Sequence, residues 1–110
     1  MITIVELAPF LRHVDDVLRP EEREDLIADL ARDPELSRDV IPGTGGVRKL
    51  RRPAKGQGKS GGARVIYYYH NDKTPLFLIT IYSKSHKVSL TSDQRNQMKA
   101  LVKTLKSYGE

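Results

Sequence analysis

The chain has 110 residues, of which 38 % are apolar and 30 % are charged, and this fits one globular domain with a modest core. It contains no cysteine, which excludes disulfide bonds, thiolate metal sites and a cysteine nucleophile. No apolar run approaches the roughly 20 residues that span a membrane, and no basic signal-peptide region opens the sequence. We therefore expect a single domain over residues 1–110, without a signal peptide or a membrane span.

The charges are divided unevenly along the chain. Residues 1–40 contain 11 acidic and 5 basic residues, whereas residues 41–110 contain 3 acidic and 14 basic residues. Basic side chains gathered in one half of a domain are typical of proteins that bind polyanions. A basic solvated surface without a partner explains the composition about equally well.

The N-terminal half is predicted to contain one short strand and two helices. Residues 2–6 are mostly β-branched, which predicts a strand. Apolar residues then recur at helical spacing from Pro9 to Leu18, and a second helix begins near Pro20 with glutamates in its first turn. We expect the two helices to form an antiparallel hairpin with its acidic residues mainly on the outside.

The C-terminal half is predicted to contain three strands and a helix. Strands are predicted at residues 47–52, 63–70 and 76–82. The last strand is apolar almost throughout, which indicates a central strand buried on both faces. Glycines within residues 43–46 indicate positive φ angles or close backbone approach, and Thr91 and Gln94 have capping-box spacing before a helix over residues 92–106. The order β-α-α-β-β-β-α predicts the α+β class, with helices packed on a small antiparallel sheet.

The segment from Arg48 to Arg64 contains seven basic residues, no acidic residue and several glycines. Arginine presents a planar fork to two phosphate oxygens, and glycine lets backbone N–H groups approach the same anion. We favour phosphate or nucleic-acid binding over a flexible loop kept soluble by its charge. The residues assigned to RNA binding are Arg48, Lys49, Arg51, Arg52, Tyr68 and Tyr82, the tyrosines because an aromatic ring stacks on a base.

Residues 56–60 superficially resemble the phosphate-binding loop of nucleotide hydrolases. That motif requires a glycine five residues before Gly58, where this chain has Pro53. It also requires a helix after Ser60, where this chain has two glycines and a predicted strand. The sequence therefore excludes an ATPase of this class.

His86 lies in a basic turn just after the apolar strand, between Lys84 and Lys87 in the sequence. Histidine transfers protons near neutral pH, and neighbouring positive charge favours its neutral, basic form. The alternative is an exposed turn histidine without a chemical role. No cluster of His, Asp and Glu has metal-ligand spacing, so we expect no metal ion.

Three segments carry a resemblance to a known family: residues 46–51, 58–68 and 78–84. They resemble the RelE/ParE toxin superfamily and are most similar to RelE- and HigB-type toxins of bacterial toxin–antitoxin modules. The stretch Gly-Lys-Ser-Gly-Gly-x-Arg-Val-Ile-Tyr-Tyr at residues 58–68 is its most specific part. The resemblance extends over nearly the whole chain and implies a RelE-like fold in a bacterial cytoplasmic protein.

The resemblance also implies an activity, which is ribosome-dependent cleavage of mRNA without a metal or other cofactor. The ribose 2′-OH attacks the adjacent phosphate and leaves a 2′,3′-cyclic phosphate and a 5′-OH, a reaction that needs a base, an acid and cations. The implied partners are the ribosome, mRNA and a cognate antitoxin that inhibits the toxin.

By position in the motif, Arg64 is expected to clamp the phosphate, and Lys55 and Lys59 to act as base or to bind phosphate. A second catalytic arginine of the RelE pattern falls near Ser85 and its late tyrosine near Thr91, so both are replaced in this chain. His86 or Lys87 is the expected substitute. The full catalytic set expected from the sequence is Arg64, Lys59, Lys55, Lys84, His86 and Lys87.

The sequence is also compatible with two other functions. One is a ParE-like inhibitor of DNA gyrase, against which the cationic loop argues because binding to gyrase needs no phosphate clamp. The other is a nucleic-acid-binding module without catalysis, which predicts salt-sensitive RNA binding and no cleaved ends.

Overall fold

The structure is a computed structural model that describes residues 2–56, 62–84 and 90–108. Its elements in chain order are β1 (Ile4–Glu6), α1 (Ala8–Val17), α2 (Pro20–Arg32), β2 (Arg48–Arg52), β3 (Ala63–Tyr68), β4 (Leu76–Ser83) and α3 (Ser92–Lys106). This confirms the predicted order of elements and the α+β class. None of the described helices is long and apolar enough to cross a membrane.

The four strands form one mixed sheet in the order β1-β4-β3-β2. β2 pairs with β3, and β3 with β4, in antiparallel fashion, as predicted, but β1 lies parallel to β4. The difference follows from the connections, because parallel neighbours need a long crossover. The chain leaves β1 through α1 and α2 and enters the sheet again at the opposite edge, so that β4 returns beside β1 in the same direction.

Side chains alternate along each strand and give the sheet two apolar faces. The helical-pair face packs against α1 and α2, and its core includes Leu50, Val65, Tyr67, Leu78, Phe10, Val14, Leu26 and Leu30. The α3 face packs against α3, and its core includes Ile66, Tyr68, Phe77, Ile79, Val102 and Leu105. β4 contributes buried residues to both cores, which confirms the predicted central strand.

A β-bulge shifts the register between β3 and β4. Ile66 pairs with Thr80, but Tyr67 pairs with Leu78, so Ile79 is an extra residue of β4. An extra residue reverses the alternation of every side chain beyond it. Because of this bulge, Tyr82 lies on the α3 face.

Local sequence signals determine where α2 and α3 begin. The Thr91 hydroxyl accepts a hydrogen bond from the Gln94 N–H at 3.1 Å, and the Gln94 side chain accepts one from the Thr91 N–H at 2.9 Å. This is the predicted capping box, and α3 occupies the predicted residues. α2 begins at Pro20, with the Glu22 carboxylate accepting the Arg19 N–H at 2.8 Å.

The connector between α2 and β2 is held by the buried side chain of Thr44. Its hydroxyl donates to the Ile41 carbonyl at 2.6 Å and accepts the Val47 N–H at 3.1 Å. Gly46 has a φ of +117°, and a Cβ atom there would lie 3.4 Å from the Tyr68 ring. The turn therefore requires glycine at this position for both backbone conformation and space, as the sequence predicts.

Candidate nucleic-acid interface

The alternation of β2 divides its basic side chains between the two faces of the sheet. Lys49 pairs with Ile66 and Arg51 with Arg64, so both project from the α3 face. Arg48 pairs with Tyr67, and Arg52 pairs with Ala63, so these two project from the helical-pair face. The four basic residues of β2 predicted to bind RNA are therefore brought together only in part.

Arg48 and Arg52 make contacts that attach other elements to the sheet. The Arg52 guanidinium lies 2.8 Å from the Asp29 carboxylate of α2, and Arg48 donates to the Ser37 carbonyl of the connector at 2.7 Å. The hydrogen bond from Arg52 holds the pKa of Asp29 below its usual value, with Arg32 contributing in the same direction and burial opposing. These contacts give both arginines a structural role.

Arg51, Arg64 and Tyr82 form one row across the α3 face. Arg51 is the register partner of Arg64, and Arg64 is the register partner of Tyr82. The Lys49 N–H donates outward to the Asp39 carbonyl, so Arg51, two residues further on, also directs its backbone groups away from β3. Arg51 and Arg64 are therefore a non-hydrogen-bonded pair, the kind that brings opposite side chains closest. We call these three residues the cationic row.

The cationic row extends from an exposed residue to a buried one, since Arg51 is exposed, Tyr82 is partly buried and Arg64 is buried. Arg64 is only 8 % exposed, and its guanidinium donates to the Ala63 carbonyl at 3.2 Å. Burial raises the pKa of the Tyr82 hydroxyl, and the charge of Arg64 opposes that rise. Tyr82 consequently keeps its proton at neutral pH and presents a donor beside the buried cation.

Tyr68 occupies a different environment from Tyr82. It is 3 % exposed within the α3-face core, and burial raises the pKa of its hydroxyl. A ring enclosed in this way has no face left for a base, so its prediction as a stacking residue is not supported by its position.

The predicted lysines are distributed over several places. The Lys55 ammonium donates to the Asp16 carbonyl near the end of α1 at 2.8 Å, and its N–H donates to the Glu22 carboxylate at 3.0 Å. Lys84 is exposed at the end of β4, where its N–H donates to the Gly62 carbonyl at 3.0 Å. Lys59, His86 and Lys87 lie outside the described residues.

A groove of about 800 Å³ adjoins the cationic row. Its sides are formed by α1 and α3, and Thr80 and Tyr82 of β4 lie between them. Among the described residues it is lined by Pro9, Arg12, His13, Asp16, Val17, Ile66, Ile79, Thr80, Ile81, Tyr82, Ser83, Leu90, Gln94, Gln97, Met98 and Leu101. Arg12, His13 and Gln97 have no functional signature in the sequence, since solvent-exposed polar residues on two amphipathic helices carry no specific signal. The described ranges contain no group of three or more His, Cys, Asp or Glu residues that is able to hold a metal ion.

The fold and the cationic row define a small α+β protein with a positively charged surface on one side of its sheet. Residues 37–110 match the family described as the RelE toxin of the RelE/RelB toxin–antitoxin system, and the chain belongs to this family. The structure of an arginine-to-alanine double mutant of E. coli toxin RelE in the free state is similar. It has a TM-score of 0.57 and 16 % sequence identity, over 94 % of this chain and 98 % of that chain.

These comparisons confirm the resemblance found in the sequence and the RelE-like fold. The chain is a toxin of a toxin–antitoxin system, and membership of this family implies a cognate antitoxin as its partner.

Proposed function

We propose that this toxin is an endoribonuclease that cleaves mRNA on the ribosome and thereby stops translation. The observation that carries the proposal is the cationic row, because two arginines on neighbouring strands stand directly opposite each other beside a tyrosine. β2, β3 and β4 place three basic side chains and no carboxylate on the α3 face. Such an arrangement supports the binding of an anion. For a cytoplasmic toxin of this family, we expect that anion to be a phosphodiester group of RNA.

Each member of the row has a role that fits its environment. Arg64, mostly buried, binds two oxygens of the scissile phosphate through its planar guanidinium, and Arg51 neutralises the charge that develops there. The protonated Tyr82 hydroxyl donates toward the 5′-oxygen as that oxygen leaves.

The reaction also needs a base for the 2′-OH proton. The 2′-oxygen forms a bond to phosphorus, the bond from phosphorus to the 5′-oxygen breaks, and one proton is transferred at each end. Lys59, His86 and Lys87 are the base candidates from the sequence, and Lys84 extends the positive charge at the end of β4. Lys55 is the weakest member of the predicted catalytic set, because its ammonium already donates to a carbonyl of α1.

The charge distribution supports an orientation of the toxin on RNA. The exposed side of α3 carries Arg95, Lys99, Lys103 and Lys106, on the same side of the sheet as Lys49 and Arg51. The exposed acidic residues of α1 and α2 lie across the sheet, and Asp15, Glu21, Glu24 and Asp25 are among them. A polyanion is therefore attracted to the α3 face and repelled by the helical pair, which presents the cationic row to the RNA.

The test is primer extension on a defined mRNA in a reconstituted translation system, with and without ribosomes. Wild-type protein is compared with Arg64→Ala and with Arg38→Ala, which removes an exposed arginine of the connector outside the row. We expect ribosome-dependent cleavage by the wild type and the control, with product ends that carry a 2′,3′-cyclic phosphate and a 5′-OH. In Arg64→Ala we expect the cleavage rate to fall at least about a hundredfold, which is the order of the loss caused by removing one oxyanion-hole donor.

Each other outcome of this experiment contradicts a different part of the proposal. Cleavage of bare RNA keeps the nuclease and overturns its dependence on the ribosome. A folded Arg64→Ala protein that cleaves at the wild-type rate removes Arg64 from the mechanism. If no RNA is cleaved, inhibition of gyrase supercoiling decides for the gyrase alternative, and salt-sensitive RNA binding without cleavage decides for the non-catalytic module.

A further inference from the structure

The groove between α1 and α3 is continuous with the cationic row. Tyr82 belongs to both, since it pairs with Arg64 on β3 and also lines the groove. A strand of RNA whose phosphate lies at Arg64 therefore has a neighbouring nucleotide within reach of the groove. Its volume of about 800 Å³ lies in the range of small-ligand sites and exceeds the needs of a single nucleotide.

We propose that this groove is a base-recognition subsite, in which a nucleobase next to the scissile phosphate rests on Tyr82 and is read by Gln97. The inference rests on the proposed function and deepens it, because it assigns the choice of cleavage site to residues outside the cationic row. The ligand class is an unpaired nucleotide of single-stranded RNA.

The lining has the composition that an unpaired base requires. Single-stranded RNA is recognised by stacking on aromatic rings and by hydrogen bonds to the exposed base edges. Tyr82 supplies the ring, and Ile79, Met98 and Leu101 supply apolar surroundings. Gln97 is exposed and makes no hydrogen bond within the described residues, so both its amide donors and its carbonyl oxygen are available.

Gln94 lines the same groove but is a weaker reader of bases. Its side-chain oxygen accepts the N–H of Thr91 in the capping box, which leaves only its amide donors for a ligand. Gln97 is three residues further on and shares its side of α3. Two glutamines one turn apart on α3 therefore differ in role: the amide of Gln94 caps the helix, and the amide of Gln97 is available to read a base.

The groove lining carries charges of both signs, and it is the position of the groove beside the cationic row that favours RNA over an acidic protein segment as its occupant. Arg12 and His13 of α1 lie on one side, with Asp16 as a carboxylate among the described lining residues. Arg12 makes no ion pair within the described residues and is available to a phosphate of the nucleotide. Continuity with Arg64 then decides for RNA, because a strand bound at the cationic row passes directly into the groove.

The first test measures where the toxin cuts. Gln97→Ala is compared with Asn96→Ala, which removes a neighbouring amide of α3 that does not line the groove. Cleavage frequencies over all codons are recorded in the reconstituted system. We expect Gln97→Ala to lose base preference at one position of the site by about tenfold, and Asn96→Ala to keep the wild-type preference. An unchanged preference in Gln97→Ala overturns the proposal.

The second test does not depend on cleavage. Met98 provides a methyl probe inside the groove, and trinucleotides that differ in one base are titrated into the wild-type protein, with 2′-deoxy linkages that lack the attacking hydroxyl. We expect the Met98 methyl signal to shift, with an affinity that depends on the base and falls in Gln97→Ala. No shift at millimolar nucleotide, or a shift only with an acidic peptide, overturns the subsite. If RNA cleavage fails while base-dependent shifts appear, the proposed nuclease is wrong and the binding site stands.

Discussion

Arg51 and Arg64 face each other across β2 and β3 as a non-hydrogen-bonded pair, with both side chains on the α3 face. Like charges in this position destabilise a sheet, and the close approach of the side chains increases the repulsion. A bound phosphate removes the repulsion by placing negative charge between the two guanidinium groups. We therefore expect the pair to lower the stability of the free protein and to raise its affinity for an anion.

This relationship predicts opposite effects of one substitution. Arg51→Gln should raise the free energy of unfolding by a few tenths of a kcal/mol, up to about 1 kcal/mol, because it removes one of two like charges. The same variant should cleave RNA at least tenfold more slowly. Urea denaturation at low and high salt measures the first effect, which should shrink at high salt because the repulsion is screened.

Arg38→Gln is the matched control for this prediction, since it removes the same charge from an exposed position of the connector. It should change neither stability nor cleavage appreciably. A loss of stability in Arg51→Gln comparable to that of an ordinary core substitution would show that Arg51 is held by favourable contacts and that the repulsion is not significant.

The opposite face of the sheet leads to a different expectation for Arg52. Its guanidinium is 2.8 Å from Asp29, and it projects away from the cationic row. A double-mutant cycle with Arg52→Ala and Asp29→Ala should give a coupling free energy of about 0.5–1 kcal/mol, because both groups are partly exposed. Folded Arg52→Ala protein should retain most of its cleavage activity. A hundredfold loss of cleavage with unchanged stability would instead place Arg52 on the RNA.

Asp29 also predicts the direction of a pH effect. Hydrogen bonding by Arg52 lowers the pKa of its carboxyl in the folded protein, so the folded state holds this proton less tightly than the unfolded chain. The stabilisation is complete above the ordinary pKa of 3.8 and is lost as the pH falls through the lower folded value. The difference in unfolding free energy between wild type and Asp29→Asn should therefore be constant above about pH 5 and decrease toward pH 2.5. A difference that stays constant to pH 2.5 would show that Asp29 titrates normally.

The sequence is sufficient to predict the elements because their signals are local. The capping pair of Thr91 and Gln94, the apolar run of β4 and the glycines of the connector are each recognisable within a few residues. The direction of β1 is not local, since it depends on which edge of the sheet the chain enters after α2.

The sequence predicts the basic composition of the cationic row, but it predicts the arrangement of these side chains only in part. A basic strand is visible in the sequence, but the faces of Arg51 and Arg52 follow from the register of β2 on β3. The face of Tyr82 depends on the bulge at Ile79, which no local pattern marks. Gln97 joins the groove only because α3 packs near α1, a contact between elements far apart in the chain.

Tyr67 and Ser37 provide a last prediction, which concerns the attachment of the connector. The buried Tyr67 hydroxyl accepts the Ser37 N–H at 3.1 Å, while Ser37 also accepts a hydrogen bond from Arg48 through its carbonyl. Tyr67→Phe leaves the ring in the core but leaves a buried N–H without its acceptor, so it should lower the free energy of unfolding by about 1–2 kcal/mol.

Tyr69→Phe is the control, because its hydroxyl makes no hydrogen bond within the described residues and its ring is only partly buried. Hydrogen exchange should show a faster Ser37 amide in Tyr67→Phe and an unchanged one in Tyr69→Phe. Equal exchange in both variants would mean that another acceptor holds the Ser37 N–H and that the connector does not depend on Tyr67.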